Sequence, residues 1–204
     1  MGELRRDYFT NRIVLTSTKK NESPKPIKNN NSTSPQKSID PKCILCPGNE
    51  EKTNAADMVL IQKEGALIKM SDEEDDPVKD WVVRVIPSKD SVVTPTPEAT
   101  YSERPLYSEP AHGYHYILVV SPNHNENFTN MIIEQLINVL TSLQDKVRGL
   151  YNKKKVSYVA VIMNNGEEAG AKHTHPHIEI ITLPSLPPNI EQEALAAQKS
   201  MNDL

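Results

Sequence analysis

Three histidines at alternate positions, in His173-Thr174-His175-Pro176-His177, are the densest concentration of reactive groups in this sequence. Successive side chains of an extended backbone point to opposite faces, so the three rings share one side. Imidazole is partly unprotonated near neutral pH, which makes it a nucleophile toward phosphorus as well as a metal ligand. A covalent nucleotidyl-imidazole would split one hard transfer into two easier ones. The competing readings are a polar strand and an adventitious metal site. Just upstream, Asn164-Asn165-Gly166-Glu167-Glu168-Ala169-Gly170-Ala171 is a glycine-bearing turn. Its backbone amides can cradle a phosphate, as concave runs of N–H groups do, although taken alone it is simply a turn.

Cys43-x-x-Cys46 is followed by Pro47-Gly48, so a tight turn can aim both sulfurs at one ion. A lone pair at this spacing leaves three readings open: a redox couple, two small buried side chains, or half a zinc site. Zinc takes four ligands in tetrahedral array, so two thiolates need two partners from elsewhere. His124, in Ser121-Pro122-Asn123-His124, and His175 would complete a closed Cys2His2 set, structural rather than catalytic. Read alone, His124 is a solvated loop histidine, and the spacing does not choose between these readings.

These residues need a scaffold. Strands are predicted at 12–16, 59–61, 81–86, 114–120, 156–162 and 178–183, where β-branched and apolar residues concentrate. One long helix interrupts them. Ile133, Leu136, Ile137, Leu140, Leu143, Val147 and Leu150 recur at steps of three and four, one apolar stripe, with Thr129 or Asn130 as its cap. Several strands, one long helix and few βαβ alternations predict an α+β fold with a largely antiparallel sheet. Residues 19–41 are rich in Asn, Ser, Pro and Lys with little to bury, and are expected to form a mobile loop. The acidic run 71–77 reads as a solvated turn, with metal capture as the sharper option. Residues 189–201, with Asn189 as cap, read as a helical tail after a domain spanning 1–188.

Composition narrows the field. The 204 residues carry a net charge of -4 with acids and bases interspersed, so no nucleic-acid partner is expected. No apolar run approaches the length of a membrane span, and the charged N-terminus is not followed by the apolar stretch of a secretory signal. Two cysteines are too few for a disulfide-stapled secreted domain, so a cytoplasmic setting is the default.

In order along the chain stand Leu4-Arg5-Arg6-Asp7, Cys43-x-x-Cys46-Pro47-Gly48-Asn49, Trp81-Val82-Val83-Arg84-Val85, Gly113-x-His115, Ser121-Pro122-x-His124, Asn164-x-Gly166-x-x-x-Gly170 and His175-Pro176-His177. This succession resembles the galactose-1-phosphate uridylyltransferase family of the histidine-triad superfamily. No piece is specific alone; their order and combination are. The resemblance implies a histidine-triad-like domain in which His177 attacks the α-phosphorus of UDP-glucose, releases glucose 1-phosphate and holds UMP covalently. Galactose 1-phosphate, or another hexose 1-phosphate, then takes the UMP. It further implies Zn2+ held by Cys43, Cys46, His124 and His175, a phosphate contact from Asn164, turn glycines at Gly166 and Gly170, and a homodimer.

Two positions depart from the family's pattern. Glu179 stands where a phosphate-donating glutamine is usual, and a carboxylate facing a phosphoryl oxygen repels it unless protonated or paired. Lys172 stands where a serine is common. Lys172 is therefore expected to supply the phosphate contact that Glu179 cannot. The uridine-side segment at 85–88 is also altered, and members of the family carry two similar halves whereas this resemblance covers one. Two alternatives stay open. One keeps the chemistry but passes the nucleotide to phosphate or water, as a nucleotide-sugar or dinucleotide phosphorylase or hydrolase. The other is a catalytically inactive, zinc-stabilised nucleotide-binding domain. His173-x-His175-x-His177 also permits a register in which His175 attacks, although Pro176 and the demand for His175 at zinc favour His177.

Overall fold

The computed structural model describes residues 2–7, 9–10, 12–17, 39–73, 75–97, 108–166 and 168–202. In chain order the elements are β1 (Gly2–Arg6), β2 (Ile13–Ser17), a 3-10 turn (Glu50–Lys52), β3 (Met58–Lys63), β4 (Ala66–Met70), β5 (Trp81–Pro87), β6 (Ser108–Pro110), β7 (His115–Val119), α1 (Ile133–Tyr151), β8 (Tyr158–Ile162), β9 (His177–Leu183) and α2 (Pro188–Asn202). Six strands form one sheet in the order β4-β3-β5-β7-β9-β8, and β2-β1-β6 form a smaller one. The pairs are antiparallel throughout. The predicted α+β architecture, a largely antiparallel sheet with one long helix against it, is the one observed.

Strand alternation sorts the residues of β9. Ile178 and Ile180 face α1 and join Val83, Val85, Leu118, Val139 and Leu150 in the main core. His177, Glu179 and Ile181 face the other way, opposite Val119, Ile117 and His115 of β7 in the ladder register. That second face is covered near Val119 by the loop carrying Leu45 and Ala56, with Trp81 and Ile86. Near Ile181 it is covered by Leu4 of the small sheet together with Val93 and Ala111. His177 and Glu179 lie between the two covers.

The helix follows its predicted stripe in part: Leu150 is buried, with Leu143 and Val147 packed on the core. Its buried face runs through Gln135, Val139, Ser142, Lys146 and Leu150, whereas Ile133, Ile137 and Leu140 are 74%, 56% and 50% exposed. Polar contacts hold this face. The Gln135 amide donates to the carbonyls of Val82 (2.9 Å) and Val120 (2.6 Å). Lys146 pairs with Asp57, its ammonium 3.4 Å from the centroid of the Tyr116 ring. Neither Thr129 nor Asn130 caps the helix; Ile132 occupies the cap position without a side-chain bond. Both side chains are engaged in the preceding turn, Thr129 Oγ1 donating to Asn127 Oδ1 (2.6 Å) and Asn130 Oδ1 accepting from the Asn127 amide (2.7 Å).

Three further expectations need amending. The acidic run is not simply solvated: Asp72 is buried in an ion pair with Arg84 and accepts the amides of Ala56 (2.7 Å) and Val78 (2.9 Å). The tail helix begins at Pro188, a residue suited to the first helical position, so Asn189 lies inside the helix and is not its cap. The β3–β4 hairpin went unread in the sequence. Its two-residue turn, Glu64-Gly65, has both φ angles positive (52° and 79°), as tight hairpins require. The expected mobile loop at 19–41 lies outside the described residues as far as 38.

Gly113, two residues before His115, shows how closely β7 and β9 approach. A Cβ there would meet the Thr182 carbonyl oxygen at 2.3 Å. Gly113→Ala is expected to destabilise the protein by about 1–3 kcal/mol through backbone displacement, read as a lower denaturant midpoint at unchanged slope.

Candidate functional site

The site is assembled by one turn, two loops and one strand. The turn at the cysteines is closed by the Cys46 amide donating to Cys43 O (3.2 Å) and the Asn49 amide to Cys46 O (3.2 Å), with Gly48 at φ 85°. It is pinned to β5 through Glu50, whose carboxylate accepts Trp81 Nε1–H (2.9 Å) and the Gly48 amide (2.9 Å). His124 arrives on the loop after β7 and His175 just before β9. Together Cys43, Cys46, His124 and His175 place four donor atoms within 4.8 Å of one another, a set that could hold a metal ion.

Hydrogen bonds fix which ring nitrogens face inward. His175 Nε2 donates to the Ser121 carbonyl (2.8 Å). Its Nδ1 therefore carries the lone pair, turned to Cys46 Sγ (3.5 Å) and Cys43 Sγ (3.8 Å). His124 Nδ1 lies 3.2 Å from Cys46 Sγ, while its Nε2 meets Thr174 Oγ1 (3.2 Å). Burial pushes His175 down to about 4 and lowers His124, so both rings are neutral at pH 7, the form a metal ion could bind. Burial also pushes the Cys43 thiol up to about 11, so a cation must displace its proton to bind.

The same segment holds the nucleophile candidate. His177 Nδ1 is 2.8 Å from the main-chain oxygen of His175 and must donate to it, because a carbonyl only accepts. That assignment leaves the His177 lone pair on Nε2, which has no hydrogen-bond partner among the described residues. His173 does not join the cysteines. Its ring stands edge-on to His177, centroids 5.3 Å apart, and burial lowers its pKa.

Lys172 and Glu179 meet each other. Lys172 Nζ lies 3.0 Å from Glu179 Oε1, the lysine partly exposed and the glutamate largely covered. His115 Nε2 lies 3.8 Å from the same oxygen, close enough for attraction but too far for a hydrogen bond. The neighbouring His115 and Lys172 together lower the Glu179 carboxyl against the opposing effect of burial. At neutral pH Glu179 is therefore a carboxylate whose charge is already partnered.

Asn164 is half-buried on the loop after β8, and no hydrogen bond of its side chain occurs among the described residues. Gly166 and Gly170 both adopt positive φ (84° and 82°), and the Gly166 carbonyl accepts the Ala171 amide (3.1 Å), closing the turn. His115 was not read as a site residue. A period-two comparison of β7 with β9 would have found it, since both put a histidine on the face that carries Glu179.

An α+β, histidine-triad-like fold with a Cys2His2 cluster beside an oriented histidine defines the class. Within it, residues 88–187 match the family model for the N-terminal domain of galactose-1-phosphate uridyl transferase. The Saccharomyces cerevisiae galactose-1-phosphate uridylyltransferase is 27% identical over 78% of this chain and 42% of its own length. The Arabidopsis thaliana ADP-glucose phosphorylase is 25% identical over 92% of this chain and 50% of its own. A solved uridylyltransferase shares the fold with a TM-score of 0.68 at 23% identity, covering 98% of this chain and 52% of that one. The Arabidopsis thaliana ADP-glucose phosphorylase solved with bound ADP-glucose gives 0.60 at 19%, covering 100% and 55%. The chain is thus similar to the N-terminal half of galactose-1-phosphate uridylyltransferases, and spans about half the length of the curated relatives it matches.

Loading with a divalent ion is expected to raise the melting temperature and release protons, with affinity weakening as pH falls because Cys43 reclaims its proton. Without metal, the lowered His175 pKa makes the unfolded chain the better proton binder between about 6.5 and about 4, so stability should decline as pH falls through that window. Cys46→Ala should abolish the metal-dependent rise in melting temperature.

Proposed function

We propose that this domain is a nucleotidyltransferase that moves UMP from UDP-glucose to a hexose 1-phosphate, galactose 1-phosphate in the first instance, through a covalent UMP–His177 intermediate. The observation that carries the reading is the bond from His177 Nδ1–H to the His175 carbonyl, which presents Nε2 as the unprotonated nitrogen. In the first step that lone pair attacks the α-phosphorus. An N–P bond forms, the P–O bond to the sugar phosphate breaks, and glucose 1-phosphate departs with the electron pair. In the second step a phosphate oxygen of the acceptor hexose 1-phosphate attacks the same phosphorus and returns the pair to Nε2.

The surrounding groups suit this chemistry. Lys172, partly exposed and anchored on Glu179, can reach a phosphoryl oxygen while keeping the carboxylate neutralised. Asn164 and the Gly166–Gly170 turn are the further phosphate contacts we assign. The ion we propose at the cluster is Zn2+. Bond lengths of about 2.3 Å to sulfur and about 2.0 Å to nitrogen in a tetrahedron imply sulfur–nitrogen separations of roughly 3.5 Å, and three of the four here are 3.2, 3.5 and 3.8 Å. Four protein ligands leave no open position, so Zn2+ would act by holding His175, and through it the carbonyl that orients His177.

A second donor is supported by the similarity to ADP-glucose phosphorylase, which extends over 92% of this chain. In that variant the nucleotide is AMP and inorganic phosphate replaces the hexose 1-phosphate as acceptor, with His177 in the same role.

Incubation with UDP-glucose or ADP-glucose labelled at the α-phosphate, followed by denaturing separation, tests both donors. Acid-labile, base-stable label should appear and be absent from His177→Ala; no label from either donor would overturn the reading. Lys172→Ala is expected to weaken nucleotide-sugar binding roughly tenfold, the scale of a lost hydrogen bond to a charged group, and an unchanged titration would remove Lys172 from the site.

A further inference from the structure

We infer that His115 is a positioning residue: from β7 it steadies the Glu179 carboxylate, two residues along β9 from His177, that holds the Lys172 ammonium. The inference rests on the transfer reading above for its purpose, but its geometry stands on the site itself.

His115 is buried, and both of its ring nitrogens lack a hydrogen-bond partner. Buried polar atoms in native proteins are nearly always satisfied, so two orphans on one ring call for an explanation. Space-filling alone is a poor one. The rest of this sheet face offers Ile117, Val119 and Ile181, and an aliphatic side chain would fill the position without an unpaired nitrogen. The ladder supplies a better reason. His115 is level with Ile181 and Ile117 with Glu179, which makes His115 and Glu179 diagonal neighbours on one face, within reach of long side chains. Nε2 of His115 and Nζ of Lys172 approach the same carboxylate oxygen, at 3.8 and 3.0 Å.

The arrangement is a chain from the sheet interior to the phosphate site. His115 is held by the strand, its main-chain oxygen accepting the Ser88 amide (2.9 Å). Glu179 is largely covered, with His115 on one side and the more exposed Lys172 on the other. Without an anchored carboxylate the long Lys172 side chain would sample many rotamers. A small inward movement of the glutamate would bring His115 Nε2 into hydrogen-bond range, as contacts in ligand-free sites commonly tighten on binding.

The chemistry of the two nitrogens gives a test that packing would not mimic. A glutamine at 115 places its amide nitrogen near the former Nε2, whereas an asparagine places it near Nδ1. The rate at which Lys172 is acetylated, followed by mass spectrometry, reports how firmly its ammonium is held. It should rise roughly tenfold in Glu179→Gln and in His115→Asn, stay near the original rate in His115→Gln, and rise no further in the double variant His115→Asn/Glu179→Gln. Equal rates for the two His115 variants, no rise in His115→Asn, or additive effects would overturn the inference. Should His115→Asn fail to fold, the 15N resonance of His115 Nε2 carries the same question: it should move in Glu179→Gln, and a stationary resonance overturns the proposal. Acetylation needs no turnover, so absence of label on His177 would defeat the transfer reading and leave this result standing.

Discussion

The site depends on what a single residue, His175, does with three of its atoms. Its Nε2–H is committed to the Ser121 carbonyl, its Nδ1 faces two sulfurs, and its main-chain oxygen receives the proton of His177 Nδ1. None of the three can shift alone. Rotation of the ring that improves one contact breaks another, so the cysteine turn, the loop after β7 and the start of β9 are held in one relative position. Pro176, buried between the two histidines, fixes the backbone angle of the connecting segment. A nucleophile needs its lone pair aimed to a fraction of an ångström, and in the role proposed for His177 that precision would be delegated to a neighbour which is itself clamped.

The antiparallel sheet makes this economical. Because β9 alternates, one strand sends Ile178 and Ile180 into the core under α1 and His177 and Glu179 to the working face. Stability and chemistry are thus carried on opposite sides of the same seven residues. The working face is narrow, limited at one end by the cysteine loop packed on Trp81 and at the other by the small sheet against Ile181 and Leu183. Electrostatically the balance is local, because Lys172 and Glu179 partner each other. On the proposed reading, an arriving phosphate would redistribute an existing pairing and not meet a bare carboxylate.

Much of this was legible in the sequence, for physical reasons. Strands buried on both faces announce themselves as β-branched runs, and β5, β7 and β9 were found close to their observed bounds. The spacing of the Cys and His residues left several readings open and only the family resemblance joined the four; the structure brings their donor atoms within 4.8 Å of one another. What escaped were features decided by tertiary contact. The strand β4 is exposed along its whole length and has no core pattern, and β6 has only three residues. The helix was placed correctly and only part of its predicted stripe, Leu143, Val147 and Leu150, meets the core; Gln135 and Lys146 are buried by polar partners, which an apolar stripe cannot reveal. Asp72 was hidden among acids that look solvated until Arg84 folds against them. The Lys172–Glu179 pair was visible only as two departures from a pattern; their being one interaction needed coordinates.

The most direct measurement is of the His177 tautomer, by long-range 1H–15N correlation on the metal-loaded protein. The account predicts that the proton resides on Nδ1 with Nε2 unprotonated, and that His175 shows the complementary state, protonated at Nε2 with Nδ1 bound. A His177 ring protonated at Nε2 would contradict it, because the nitrogen assigned to attack phosphorus would then carry the proton rather than the lone pair.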